Sequence, residues 1–125
     1  MEWIFDGDSP IYLQIMEQLK TQIASGTLSP GDKILPVREL ALEAGVNPNT
    51  MQKALSELER EGILYSKRTS GRFVADNPGK MTSLQQEMVQ IQLDSFVGSM
   101  NRLGYNLAQT RELFEAYCKE HPQEL

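Results

Sequence analysis

The strongest constraint on this chain comes from two short helical patterns separated by a glycine. The first pattern follows Pro36, and the second follows Asn47 and Pro48. Asparagine followed by proline is a typical helix start, because the amide side chain caps free backbone N–H groups and proline suits the first helical position. Gly45 lies between the patterns and suits the end of the first. We therefore expect two helices joined by a tight turn at residues 45–48.

Apolar spacing gives each of three predicted helices one buried side. In the earliest helix, which Asp8 or Ser9 is expected to cap, apolar residues recur every four positions. The next two helices have shorter apolar sides, and Gly62 ends the third. The three apolar sides consist of Ile11, Tyr12, Ile15, Met16, Leu19 and Ile23, then Val37, Leu40, Ala41 and Ala44, then Met51, Ala54, Leu55 and Leu58.

A basic hairpin is predicted after the third helix. Residues 63–66 and 72–75 are strand-like, and residues 67–71 form the turn between them. Residues 62–75 contain three basic side chains and no acidic one. Helix, tight turn, helix and basic hairpin is the order of a winged helix-turn-helix, in which the hairpin is the wing. The sequence therefore predicts such a domain at residues 1–76, in a fold that is mainly α with a small β-hairpin.

Residues 77–125 predict a second segment of two helices. A long helical pattern covers residues 81–103, Gly104 ends it, and a helix capped by Asn106 runs to about Glu120. Two helices cannot enclose a core of their own, and the first is apolar around much of its circumference, so we expect pairing with a second copy. The residues expected in this homodimer interface are Leu84, Met88, Val89, Ile91, Leu93, Phe96, Met100, Leu103, Leu113, Phe114 and Tyr117.

The outward side of the third helix has the chemistry that base recognition requires. Contact in the major groove needs donors and acceptors near the helix N-terminus and an apolar opposite side. Amides suit adenine, and a lysine suits guanine or a phosphate. Basic residues of the second helix and the wing would bind the backbone and fix the register. The residues expected to contact DNA on these grounds are Arg38, Asn49, Thr50, Gln52, Lys53, Lys67, Arg68 and Arg72.

The charge of the chain leaves an alternative open. A net charge of −5 is unfavourable for binding phosphates, although the positive charge is concentrated in the hairpin. Exposed polar helix faces are usually only solvated, and Lys67 and Arg68 are also explained as charges that protect an edge strand. A winged helix used for protein–protein contact without DNA binding is therefore the alternative interpretation.

Other chemistry is sparse. His121 is the only histidine and Cys118 the only cysteine, so neither a catalytic triad, a metal site nor a disulfide framework is indicated. No apolar run approaches the roughly 18 residues of a membrane span, and the N-terminus lacks a signal-peptide pattern. We expect a cytoplasmic, soluble non-enzyme that binds no metal or cofactor and no membrane.

The segment PVRELALEAGVNPNTMQKALSELEREGIL, followed by SGRFVAD, resembles the DNA-binding domain of the GntR superfamily of bacterial transcription regulators. The stretches SPIYLQI and TLSPGDKI resemble its small YtrA-like branch. The resemblance implies a homodimeric repressor that binds a double-stranded DNA operator, and a small-molecule effector of unidentified chemistry. Positions that match DNA-contacting positions of the family are Arg38, Asn47, Asn49, Thr50, Gln52, Lys53, Ser70 and Gly71.

Two positions depart from the family pattern. Val37 stands where a serine usually precedes the arginine of the second helix, and Thr69 stands at the first of two usual wing glycines. Only Gly71 keeps the conformational freedom of glycine, so we expect a less tightly turned wing.

Overall fold

The computed structural model describes residues 1–125 as five α-helices and one two-stranded sheet, which confirms the predicted fold class. Both strands lie one residue away from their expected positions. The elements are α1 (Ile11–Ala24), α2 (Val37–Ala44), α3 (Pro48–Arg60), β1 (Leu64–Lys67), β2 (Gly71–Val74), α4 (Pro78–Arg102) and α5 (Leu107–Glu120), followed by a 3-10 turn at Pro122–Glu124. No helix combines the length and the hydropathy that crossing a bilayer requires.

The asparagine caps lie where the sequence predicts them. Asn47 accepts a hydrogen bond from the backbone N–H of Asn49 at 2.7 Å, and Pro48 is the first residue of α3. Asn106 and Gln109 form a reciprocal capping box at the start of α5. These caps were predictable because each connects groups within three residues of sequence.

The start of α1 differs from the prediction. Pro10 itself is the N-cap, and neither Asp8 nor Ser9 makes a side-chain capping bond. The Gln14 side chain instead donates to the Ser9 carbonyl at 2.7 Å, which fixes the entering chain by another route. The predicted cap was therefore wrong.

Two glutamines of α1 hold the N-terminal arm, residues 1–8. The Gln14 amide accepts from the backbone N–H of Asp6 at 3.0 Å and donates to its carbonyl at 2.9 Å. One turn later, Gln18 makes the same pair with Ile4, at 3.0 and 2.7 Å. Each side-chain amide satisfies one N–H and one C=O, as a neighbouring strand would. Trp3, within this arm, packs against the core.

The core lies where α1, α2, α3, the wing and the start of α4 meet, and α1 packs most extensively against α3. Its members are apolar and come from every one of these elements. The largest fully buried side chains are Ile15, Met51, Leu55, Leu58, Ile63 and Val74.

The wing receives a third backbone segment along its β2 edge. Lys33 forms an antiparallel bridge with Phe73, and the N–H of Val74 donates to the carbonyl of Asp32 at 2.8 Å. The N–H of Ile34 donates to the Arg72 carbonyl at 3.0 Å. A lone two-stranded hairpin is marginal in water, so this added segment stabilises the wing.

The chain divides into two compact units, Met1–Met88 and Val89–Leu125. The predicted division at residues 76 and 77 instead marks the linker before α4, because the first turns of α4 pack in the first unit. Leu84 and Met88 are only 2% and 7% exposed there. Both were expected in the dimer interface, which stays a prediction, and in the structure they pack in the core of the first unit. The assignment of DNA binding to the first segment and of dimerisation to the second stays a prediction.

We predict that Gly45→Ala destabilises the fold. Gly45 ends α2 with φ of +70°, where a Cβ is disfavoured. An added Cβ would meet nothing within 4 Å, so backbone strain is its main cost. Chemical denaturation should show a loss of about 1–2 kcal/mol in the free energy of unfolding. Gly45→Asn should lose less, because asparagine tolerates this conformation. Unchanged stability of Gly45→Ala would contradict the assignment.

Candidate nucleic-acid interface

The face of α3 that points away from the core is polar and exposed. Four buried apolar residues occupy the opposite side of the helix. Asn49, Gln52 and Lys53 are exposed, and Thr50 is half-buried. The Gln52 amide lies 3.0 Å from the Ser56 hydroxyl, one turn further along. The structure therefore brings the predicted base-contacting side chains together on one accessible surface, here called the recognition face.

Asn47 differs from the other predicted contacts. Its side-chain oxygen caps α3 by accepting from the N–H of Asn49. Its place in the structure is therefore at the end of the recognition face, in a structural role.

Arg38 and Arg68 are the predicted cations with no protein partner. Both side chains are exposed, Arg38 in the first turn of α2 and Arg68 at the wing tip. No carboxylate lies within 4.0 Å of either guanidinium. Their full charge is therefore presented to the solvent.

The two predicted lysines lie over aromatic rings. The Lys53 ammonium is 3.9 Å from the centroid of the Tyr12 ring, and the Lys67 ammonium is 4.7 Å from that of Phe73. Phe73 stacks on its cross-strand partner Tyr65 at 5.6 Å. A ring attracts a cation through its quadrupole without cancelling the charge. Each ring therefore gives its lysine ammonium a preferred position without pairing it with a carboxylate.

Arg72 connects the wing to α3 instead of facing solvent. Its Nε donates to the carboxylate of Glu59, and its side chain is only 19% exposed. The Ser66 hydroxyl donates to the same carboxylate at 2.6 Å. Burial alone would raise the pKa of Glu59, but the hydrogen bonds from Ser66 and Arg72 and the charge of Arg72 together lower it. The structure thus gives Arg72 a positioning role within the wing.

The wing turn explains the departure at Thr69. No residue other than glycine has a positive φ, whereas Gly71 has φ of +106°. A Cβ at Gly71 would also meet the Lys33 side chain at 3.3 Å. The glycine that the chain retains is therefore the one that the backbone requires. Ser70 lies beside it, exposed.

Three contributors to this surface do not stand out in the sequence. Tyr12 counts there only as part of the apolar side of α1, and Phe73 only as a strand residue. Glu59 lies thirteen positions before the arginine that it binds. A periodic pattern identifies which side of an element is buried, but not which cation an aromatic ring or a carboxylate will hold.

We predict that Glu59→Gln lowers stability at neutral pH by about 1 kcal/mol, since a half-buried charge-assisted pair is lost. The pKa of Glu59 is lower in the folded than in the unfolded protein, where it is near 4.5. The ionised carboxylate therefore stabilises the fold fully at pH values above the unfolded pKa. That stabilisation is lost as the pH falls through the pKa of Glu59 in the folded protein. Thermal unfolding at a series of pH values should therefore show the two proteins converging in acid. Adding Arg72→Gln to Glu59→Gln should lower the free energy of unfolding little further. Fully additive losses from the two substitutions would contradict the Arg72–Glu59 ion pair.

Comparison with known proteins extends this picture. The model of the family described as "Bacterial regulatory proteins, gntR family" matches residues 11–74. An uncharacterized HTH-type transcriptional regulator, YhcF of Bacillus subtilis, is 40% identical over 92% of this chain and 95% of its own length. The HTH-type transcriptional repressor YtrA of the same organism is 42% identical over 70% of this chain and 72% of its own.

Solved structures agree with the sequence matches. A GntR family transcriptional regulator from Listeria monocytogenes superposes with a TM-score of 0.78 at 36% identity, covering 93% of this chain and 98% of that one. The DNA-binding domain of AraR in complex with operator ORX1 superposes with a TM-score of 0.55 at 35% identity, over 60% of this chain and 96% of that one. A family model that matches half of the chain, and relatives that align over most of it, confirm the predicted resemblance: the chain belongs to the GntR family of bacterial regulatory proteins.

Proposed function

We propose that the chain is a sequence-specific DNA-binding transcription regulator that acts as a homodimeric repressor on a palindromic operator. The observation that carries the proposal is the recognition face of α3, exposed and polar, with the unpaired cations Arg38 and Arg68 outside it. Two of the similar proteins support the same conclusion, since YtrA is named as a repressor and AraR has been solved on operator DNA.

Each part of the surface has a distinct task in this proposal. Asn49 and Gln52 carry amides that pair with adenine in the major groove. Arg38 binds a phosphate and sets the register of α3. Because a phosphate contact is independent of base sequence, it strengthens binding to all sequences alike. On the wing, Lys67 and Arg68 bind the neighbouring backbone, while Arg72 keeps the hairpin against α3.

A second copy of this chain is the proposed partner of the second unit. Its apolar side chains stay exposed, with Leu103 at 72% and Val89 at 58%. Phe96, Phe114 and Tyr117 form an aromatic cluster with ring centroids 6.2 and 6.3 Å apart. They line an open apolar groove of about 280 Å³ together with Met100 and Leu113. Ile91 and Leu93 extend the exposed apolar surface, which suits burial against the same surface of a second copy.

Two-fold symmetry follows from such a dimer. It would present two recognition faces about 34 Å apart, or a multiple of that spacing, so that the preferred site is palindromic. A regulator of this kind acts on chromosomal DNA in the bacterial cytoplasm. The small-molecule effector that the family resemblance implies stays a prediction, since no polar cluster of the second unit identifies its chemistry.

We predict that Arg38→Ala weakens binding by about 1–3 kcal/mol per subunit on a duplex selected from a random pool. Because one phosphate contact is lost in each of the two subunits, the slope of log affinity against log salt should fall by about 0.9 per subunit, or about 1.8 for the dimer. Titration of a labelled duplex at several salt concentrations measures both. Arg111→Ala, which removes an exposed arginine of α5, should change neither. Binding that is equally strong in high and low salt would contradict the proposed interface.

We predict that Phe114→Glu converts the protein to a monomer. A charge in the aromatic cluster cannot be desolvated without a partner, so pairing becomes unfavourable. Sedimentation should give twice the chain mass for the wild type and a single chain mass for the variant. Leu42→Glu makes the same change at an exposed leucine of α2 and should remain dimeric. A wild type that is monomeric at all accessible concentrations would contradict the dimer.

A further inference from the structure

We infer that Tyr12 is a positioning residue for DNA binding, whose ring holds the Lys53 ammonium where it meets a backbone phosphate. The inference rests on the proposed function and assigns a role to a residue outside the helix-turn-helix. It also decides between the two partners that the sequence leaves open for Lys53, a guanine or a phosphate.

The geometry joins two helices at the edge of the recognition face. Tyr12 is the second residue of α1, and its ring is half-buried against the core. The Lys53 ammonium lies over this ring, 3.9 Å from the centroid. Because α1 packs along α3, the ring is part of a fixed framework and does not follow the motion of the lysine. A long, flexible side chain thus gains a defined end point.

A ring suits this task better than a carboxylate. Lys20 shows the contrast within the same unit, since its ammonium lies 2.9 Å from Glu61 and 3.5 Å from Glu87 and is neutralised by them. No carboxylate lies within 4.0 Å of the Lys53 ammonium. The ring occupies one side of the ammonium only and leaves its charge and its remaining N–H donors for a phosphate.

The position of the ring favours the phosphate over the base. A side chain that reaches the groove floor must extend outward from α3, on whose exposed side Asn49 and Gln52 lie. The Lys53 ammonium is displaced toward α1. With α3 in the major groove, a side chain directed toward a neighbouring helix points away from the base edges and toward the backbone. Lys53 therefore strengthens binding to all sequences, while the amides of Asn49 and Gln52 discriminate between bases.

The expected gain is entropic. Lysine loses much rotamer freedom when it is immobilised on binding, and a ring that restricts it beforehand removes part of that cost. Removing the ring should therefore weaken DNA affinity by about two- to tenfold per subunit, the range for ordering one flexible side chain, or about four- to a hundredfold for the dimer.

A double-mutant cycle on the full-length protein tests the inference with a selected duplex. Tyr12→Leu should weaken binding by the dimer about four- to a hundredfold, which is two- to tenfold per subunit, with an unchanged salt slope. Tyr12→Phe keeps a ring and should bind like the wild type. Lys53→Ala should lower the salt slope by about 0.9 per subunit, or about 1.8 for the dimer, since it removes one phosphate contact from each subunit. Adding Tyr12→Leu to Lys53→Ala should cost no further affinity, because the ring then has nothing to hold.

Folding is controlled separately. Thermal unfolding must show each variant folded at the binding temperature, and Tyr12→Met replaces Tyr12→Leu if the leucine variant is unfolded. Tyr105→Leu removes an exposed tyrosine of the second unit and should leave affinity unchanged. A ring with a merely structural role would weaken the Lys53→Ala protein as much as the wild type.

Several results would overturn the inference. These are wild-type or tighter binding by the ringless variant, failure of Tyr12→Phe to retain affinity, or additive losses in the double variant. If instead the wild type binds no duplex at any salt concentration, the proposed function fails and this inference fails with it. The two failures are therefore distinguishable.

Discussion

The packing of α1 against α3 is the contact on which the rest of the structure depends. Ile15 and Leu55 are completely buried there, and each such side chain contributes about 2 kcal/mol by leaving water. An isolated helix of thirteen residues, the length of α3, is marginal in water, so tertiary contacts must hold it. Since the contacts engage one side only, the opposite side is presented outward as the recognition face. The same contact brings the Tyr12 ring to Lys53.

Local electrostatics reconcile a chain of net charge −5 with the proposed phosphate-binding surface. Cations of the first unit differ in what they contact: a carboxylate, an aromatic ring or no protein partner. Arg72 and Lys20 are paired with carboxylates and hold elements together. Lys53 and Lys67 lie over rings and keep their charge, and Arg38 has no partner at all. The distinction between a structural and an available cation therefore depends on its neighbour, not on its place in the sequence.

Much of the candidate site follows from patterns that act over a few residues. Asn47 and Pro48 start α3 as expected, and Gly45 ends α2, because caps and turns are local chemistry. The polar face of α3 follows from the helical period once its apolar side is known. The start of α1 was predicted wrongly, because Gln14 engages the chain before it and no local pattern includes that bond.

The sequence by itself determined the order of elements, the buried side of each helix and the polar composition of the recognition face, since these depend on spacing along one chain. Only the tertiary structure decided which surfaces remain available. It buried Leu84 and Met88 within the first unit and left Phe114 exposed, although all three belong to similar apolar rows. It also bound Arg72 to Glu59. The physical reason is that periodicity defines a direction around a helix axis, whereas burial and ion pairing depend on which distant segment arrives on that side.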